Sequence, residues 1–146
     1  MPGQSANQSI VLINAYRITQ NKKYLDAALT NMDYILGRNA TGYCFVTGCF
    51  GTKSPMRPSH HTSMSDQVNE PVPGLLVGGP NNERRDRSRY PNTDPETSYV
   101  DSDDAYASNE VAIDWNASMV YLVNALEAMQ YGLGYSTPND TSTTRK

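Results

Sequence analysis

Residues 99–117, YVDSDDAYASNEVAIDWNA, place Asp101, Asp103, Asp104 and Glu110 within ten positions and then turn to an apolar pattern of helical period. A carboxylate cluster at the mouth of a helix suits acid–base chemistry, cation binding or helix capping. For capping, Asp104 or Asn109 would be the N-cap, with the other acids in a favourable first turn. For a calcium loop begun at Asp101, position six should be glycine and position twelve glutamate. Those positions hold Tyr106 and Ala112, so this reading fails.

Downstream, residues 105–131 are predicted to be one helix with Ile113, Met119, Val120, Val123, Leu126 and Met129 on or near one face. Gly132 and Gly134 end it. Upstream, residues 5–19 are a predicted helix that is apolar over much of its circumference (Ala6, Ile10, Val11, Ile13, Ala15, Ile18), a pattern of burial on more than one side. After a polar break at Asn21 and Lys22, residues 23–36 put Leu25, Ala28, Leu29, Met32, Ile35 and Leu36 on one stripe. Gly37 follows as a left-handed stop. The two helices should pack as an antiparallel hairpin.

From Asn39 to about Asp104 no helical period appears, and prolines and glycines recur. The apolar patches Phe45-Val46 and Val72 to Val77 argue for an ordered loop lying on something. The run Glu83 to Arg89 reads as a solvated charged face. Gly78 and Gly79 read as backbone turns, since neither a basic residue nor a helix start follows in the manner of a phosphate-binding loop. The domain division is residues 1–135 as one unit and 136–146 as a disordered tail or linker. The first helix is too apolar for a wet face and the loop lacks a surface, so part of the parent domain is expected outside this chain.

With 146 residues there is room for one core. The net charge of −3 argues against a nucleic-acid partner, and no apolar run is long enough for a membrane span. The start MPGQSANQ lacks the basic and apolar regions of a signal peptide. Ten tyrosines against two phenylalanines and one tryptophan suit half-wet clefts that stack on sugars or bases. Cys44 and Cys49 suit either a bridge or two free thiols. Zinc ligation by these cysteines with His60 and His61 has poor ligand spacing, and no metal or other cofactor is expected. Asn7, Asn39, Asn116 and Asn139 begin N-x-S/T sequons, a common chance pattern.

Tyr99-Val-Asp101, Tyr106, Glu110-Val-Ala112 and Asn116-Ala117, at their spacing, resemble the C-terminal active-site signature of glycoside hydrolase family 9, the cellulases that are mostly endo-β-1,4-glucanases. Phe45-Val-Thr-Gly48 with Gly51, Lys53, Ser54-Pro-Met56 and His60-His61 is similar to the family's other signature. Glu70-Pro-Val-Pro-Gly74, Val77-Gly-Gly-Pro-Asn81, Lys23-Tyr-Leu-Asp-Ala27 and Leu36-Gly-Arg-Asn39 extend the likeness over all but about the last ten residues. The resemblance implies a mainly α fold, a partial (α/α)6 barrel of about three helices plus the long cleft loop, roughly the last third of the domain. It implies a secreted parent enzyme acting on cellulose or a related β-glucan, with self-association of the chain through exposed barrel faces.

Three departures stand out. Pro58-Ser59-His60-His61-Thr62 lacks the arginine of the family's Pro-His-His-Arg, and threonine cannot reproduce an arginine fork. A residue is inserted near Cys49. Nothing matches the aspartate pair that carries the family's catalytic base. An inverting glycosidase needs a protonated acid and a base on opposite faces of the sugar. The resemblance makes Glu110 the acid and Asp101 a supporting carboxylate, with His60, His61 and Tyr106 as substrate contacts. At a helix start the macrodipole favours ionised Glu110, so desolvation or crowding by Asp101, Asp103, Asp104 and Asp114 is expected to oppose it. Tyr99 and Tyr106 are candidates to stack on glucose, whereas Trp115 is expected to pack in the core. The rival reading is a non-catalytic carbohydrate-binding or structural remnant without the base.

Overall fold

Pro2 occupies the first position of a helix, where a missing N–H costs nothing, and α1 runs Pro2–Thr19 until Gln20 turns left-handed at φ 55°. Asn21 then caps α2 (Lys22–Ile35) by accepting a hydrogen bond from the Lys23 N–H. Gly37 follows at φ +115°, the left-handed stop the sequence predicts. The structure, a computed structural model, describes residues 1–49, 51–130 and 133–134. The predicted tail at 136–146 therefore lies outside the described residues.

The first two helices pair as expected. Asn31, late in α2, donates to the Ser5 carbonyl and to Ser9 Oγ, early in α1, so the two run antiparallel. The third long helix differs from its expected span of 105–131. After the five-residue α3 (His61–Ser65), a short α4 (Tyr106–Asn109) is followed by extended backbone from Glu110 to Ala112, and α5 spans Ile113–Ala128. The reason is pairing from elsewhere in the chain. Glu110 bridges Ser59, Val111 bridges Val77, and the Gly78 N–H donates to the Glu110 carbonyl. Backbone groups engaged this way cannot also close helical turns. Ile113, expected on the apolar face, sits at the restart and is 91% exposed. Neither Asp104 nor Asn109 is an N-cap; Ala105 and Ala112 hold those positions without a side-chain bond.

The core joins the helices to the loop. Ala6, Ile13, Leu25, Ala28, Ile35, Met119, Leu122 and Leu126 meet Cys44, Phe45, Val46, Leu76, Val77 and Tyr99. The apolar patches of the loop thus lie on the three long helices, although Val72 stays exposed. Trp115 packs as predicted, so close to α1 that a Cβ at Gly3 would lie 2.5 Å from its ring. Among the described residues there is no strand, only isolated bridges such as Val46 with Leu76.

Asparagine side chains order this irregular loop. A carboxamide has both a donor and an acceptor, so it can stand in for a neighbouring strand. Asn116 accepts from the Leu76 N–H at 2.8 Å and donates to the Leu76 carbonyl at 3.1 Å, pinning the loop to α5. Asn39 donates to the carbonyls of Tyr34 and Tyr43 and accepts from the N–H groups of Thr41 and Gly42. Asn81 donates to the Ala107 carbonyl. Three of the sequons, at Asn7, Asn39 and Asn116, therefore begin with side-chain amides engaged by hydrogen bonds, Asn7 accepting from the Ser118 hydroxyl. Asn139 lies outside the described residues.

Gly79 sits at the seam of loop and helix. Its φ of +74° and the Pro2 Cδ atom, 2.4 Å from where a Cβ would stand, both require glycine. The turns expected at Gly78 and Gly79 serve close approach: their N–H groups donate to the carbonyls of Glu110 and Ser108. Cys44 and Cys49 form a disulfide, which closes the alternative of two free thiols.

Candidate active site

The acidic run of residues 101–110 separates into side chains with different jobs. Asp101 accepts from the Met56 N–H through Oδ2 at 2.8 Å and from the Arg57 N–H through Oδ1 at 2.9 Å. Asn109 Nδ2 adds a third donor to Oδ1 at 3.1 Å. Asp103 receives Nε and Nη2 of Arg57 at 3.2 and 2.9 Å. The Arg57 guanidinium holds the Asp103 carboxyl below its ordinary range, against a smaller opposing effect of burial. Of the acids expected to crowd Glu110, these two are thus turned to the 56–57 backbone and to Arg57.

Glu110 differs. Its backbone is fixed by the bridge to Ser59 and by the Gly78 N–H, yet its side chain is exposed and makes no hydrogen bond among the described residues. It follows the end of α4 and lies just before α5, outside that helix's first turn. The residue before it, Asn109, is fully buried, and its side chain is bonded to two other chain segments, Arg57 and Tyr99–Ser102.

His60 joins this group because Ser59 donates its N–H to the Asn109 carbonyl at 2.8 Å. It also caps the five-residue helix α3 (His61–Ser65), a role the sequence reading missed because imidazole is an unusual cap. His60 Nδ1 accepts from the Ser63 N–H and lies 2.8 Å from the Ser63 hydroxyl, whose oxygen accepts the Val72 N–H. An accepting Nδ1 puts the proton of the neutral ring on Nε2, leaving a donor there. His61 is exposed at the start of α3. Tyr106 is half exposed, and its hydroxyl donates to the Arg85 carbonyl at 3.1 Å.

Tyr99 is not a stacking surface. It is buried edge-on against Phe45 and Tyr43, and burial, aided by the charge of Asp101, pushes its hydroxyl well up from the ordinary tyrosine range. The run Glu83 to Arg89 also contains more than a solvated face. Asp86 accepts from the N–H groups of Ser88 and Ala107 and from the Tyr90 hydroxyl. Burial raises the Asp86 carboxyl, but these donors outweigh it and the net shift is downward. Tyr90 is pushed up to about 12, chiefly by burial. This knot ties residues 86–90 to α4, the element that leads into Glu110.

Beside Met56 lies a groove of 460 Å³ lined by Gly48, Cys49, Ser54, Met56, Glu70, Pro71 and Pro73. Glu110 does not line it. No helix among the described residues is long and apolar enough to cross a membrane, and no three His, Cys, Asp or Glu side chains gather there as metal ligands.

Comparison with known proteins gives this geometry a context. The profile of glycosyl hydrolase family 9 matches residues 2–123. A xyloglucan-specific endo-β-1,4-glucanase of Bacteroides ovatus is 55% identical over 123 residues, 84% of this chain and 21% of that protein. Endoglucanase D of Acetivibrio thermocellus is 36% identical over 119 residues, 82% of this chain and 17% of that protein. In three dimensions, a Bacteroides ovatus family 9 structure matches with TM-score 0.76 at 52% identity, covering 86% of this chain and 21% of the other. The structure of AaCel9A with a cellobiose-like isofagomine matches with TM-score 0.74 at 32% identity, covering 86% and 25%. The chain thus spans about a fifth of the length of these curated relatives.

Proposed function

The chain belongs to glycosyl hydrolase family 9, its helices forming part of that family's (α/α)6 barrel, and from this premise we propose that it supplies the acid half of an inverting endo-β-1,4-glucanase site. Glu110 is the proton donor. The observation that carries the reading is the contrast inside one motif: Asp101 and Asp103 are bonded to neighbouring chain and Asp104 is exposed on a turn, while Glu110 presents an unengaged carboxyl on a backbone pinned from both sides.

In the reaction, the Glu110 carboxyl gives its proton to the glycosidic oxygen as the bond from that oxygen to the anomeric carbon breaks. Water attacks the same carbon from the opposite face and loses its proton to a base carboxylate supplied outside residues 1–146. One water is consumed per bond cut. Asp101 supports the site by fixing the 56–57 backbone, which leads to His60. The Nε2 donor of His60, together with His61 and Tyr106, contacts sugar hydroxyls or rings.

The substrate class is a β-1,4-glucan, with xyloglucan and cellulose as the two polymers to test: the Bacteroides ovatus relative is xyloglucan-specific by name, and a relative from Acetivibrio thermocellus, 34% identical over 129 residues, is by name a cellulose 1,4-β-cellobiosidase. Such polymers do not enter cells, so the reading includes secretion of the enzyme. The Cys44–Cys49 disulfide fits an oxidising compartment. In the full-length enzyme, Glu110→Gln should cut reducing-sugar release from both carboxymethylcellulose and xyloglucan by two orders of magnitude or more, on the order of the loss expected for an acid catalyst. Near-wild-type release would refute the assignment. Binding of cello-oligosaccharides by the wild type with no release would favour a carbohydrate-binding role instead.

A further inference from the structure

Asn109 lies immediately before Glu110 and is fully buried. Its Nδ2 donates to the Arg57 carbonyl at 2.7 Å, to Asp101 Oδ1 at 3.1 Å and to the Ser102 carbonyl at 3.3 Å. Its Oδ1 accepts from the Tyr99 hydroxyl at 2.6 Å. Its backbone carbonyl accepts from the Ser59 N–H at 2.8 Å, and its N–H donates to the Ala105 carbonyl at 2.8 Å. One residue thereby joins the Arg57–Ser59 segment, the Tyr99–Ser102 segment and α4.

We infer that Asn109 is a positioning residue for catalysis, setting where Glu110 stands relative to the loop that carries His60. The inference rests on Glu110 being the acid. The extended stretch after α4 inherits its direction from the last residue of that helix, and Asn109 is the residue whose side chain fixes that end to two distant segments. A carboxamide is required because the three acceptors and one donor around it need an amide's NH2 and carbonyl on one small group. Aspartate keeps the shape and the acceptor but loses the NH2 donors, and it faces the Asp101 carboxylate with a second carboxyl. Leucine removes both functions. A misplacement of about 1 Å suffices to reduce turnover by on the order of 100-fold.

The test is a double-mutant cycle in the full-length enzyme on carboxymethylcellulose, combining Asn109→Asp with Glu110→Gln. Asn109→Asp alone should lower kcat by about 10- to 100-fold with KM changed less than about twofold. In the Glu110→Gln background the same change should cost less than about twofold, because the group it positions is already gone. An equal loss in both backgrounds would overturn the inference while leaving the acid assignment intact. A Glu110→Gln enzyme of wild-type activity would instead overturn the acid assignment itself. Tyr99→Phe guards against a folding failure, since its ring keeps the packing on Phe45 and Tyr43 and only the hydroxyl to Asn109 is lost. It should show a several-fold loss in kcat that likewise vanishes beside Glu110→Gln, and an undiminished loss there would also overturn the inference.

Discussion

The loop cluster around Asn109 and the outer faces of α1 and α5 are built on opposite principles. In the cluster, buried polar atoms find partners across distant segments, and the chain has almost no regular secondary structure. On the helices the backbone satisfies itself, yet Val11, Ile18, Val120 and Val123 are 69%, 84%, 61% and 40% exposed. The difference teaches where specificity of position comes from. A helix tolerates a change of neighbour on its apolar side, whereas a loop held by side-chain amides holds one geometry only while each amide keeps its partners. Glu110, the proposed proton donor, stands on the second kind of support.

The sharpest way to break the comparison is at the seam between the two regions. Gly79→Ala should cost about 3 kcal/mol or more, combining a left-handed backbone with the overlap on Pro2. Chemical denaturation of the full-length domain measures it, and a neutral result would show that loop and helix are not tightly joined there. Next comes Asn116→Ala. It leaves the N–H and carbonyl of buried Leu76 without this partner and should cost about 2 kcal/mol in the same measurement. An unchanged midpoint would remove the claim that amides order the loop.

A smaller effect depends on pH. The Asp86 carboxyl is lowered in the fold, so its contribution to stability is fully present above the unfolded aspartate value of about 4 and is lost as pH falls through the lower folded value. The Tm difference between wild type and Asp86→Asn should therefore shrink below about pH 4. A difference that stays constant there would contradict the hydrogen-bond knot that ties residues 86–90 to α4. The smallest effect expected in the chain of residues 1–146 is at the apolar helix face. Ile18→Ser should alter its stability by no more than about 0.5 kcal/mol, as for a surface position. The same change in the full-length domain should cost more, and equal costs would show that this face meets water in the intact protein.

The sequence made the three long helices legible because their apolar positions recur with the helical period, and Asn21 and Gly37 mark ends by local chemistry. It did not reveal the break at residues 110–112. Helical periodicity runs on through that stretch, and what interrupts it is pairing with Ser59 and Val77, far away in the chain. At the site, Asp101 and Glu110 stood out because they share one short motif. The role of Asn109 did not, since its Arg57 partner is 52 positions away and only folding brings the two together. Tyr99 misled for a related reason: an aromatic beside a carboxylate reads as a stacking surface until the ring is seen packed against Phe45. His60 was legible as a candidate contact but not as a helix cap.

The central claim is that Glu110 gives a proton to the leaving oxygen, and the leaving group itself tests it most directly. The measurement compares kcat/KM of wild-type and Glu110→Gln full-length enzyme on a cello-oligosaccharide and on a 2,4-dinitrophenyl β-cellobioside. The second departs as a stable phenolate that needs no proton. If Glu110 is the acid, the variant loses orders of magnitude on the oligosaccharide and less than about tenfold on the aryl glycoside. Equal losses on both substrates would contradict the account.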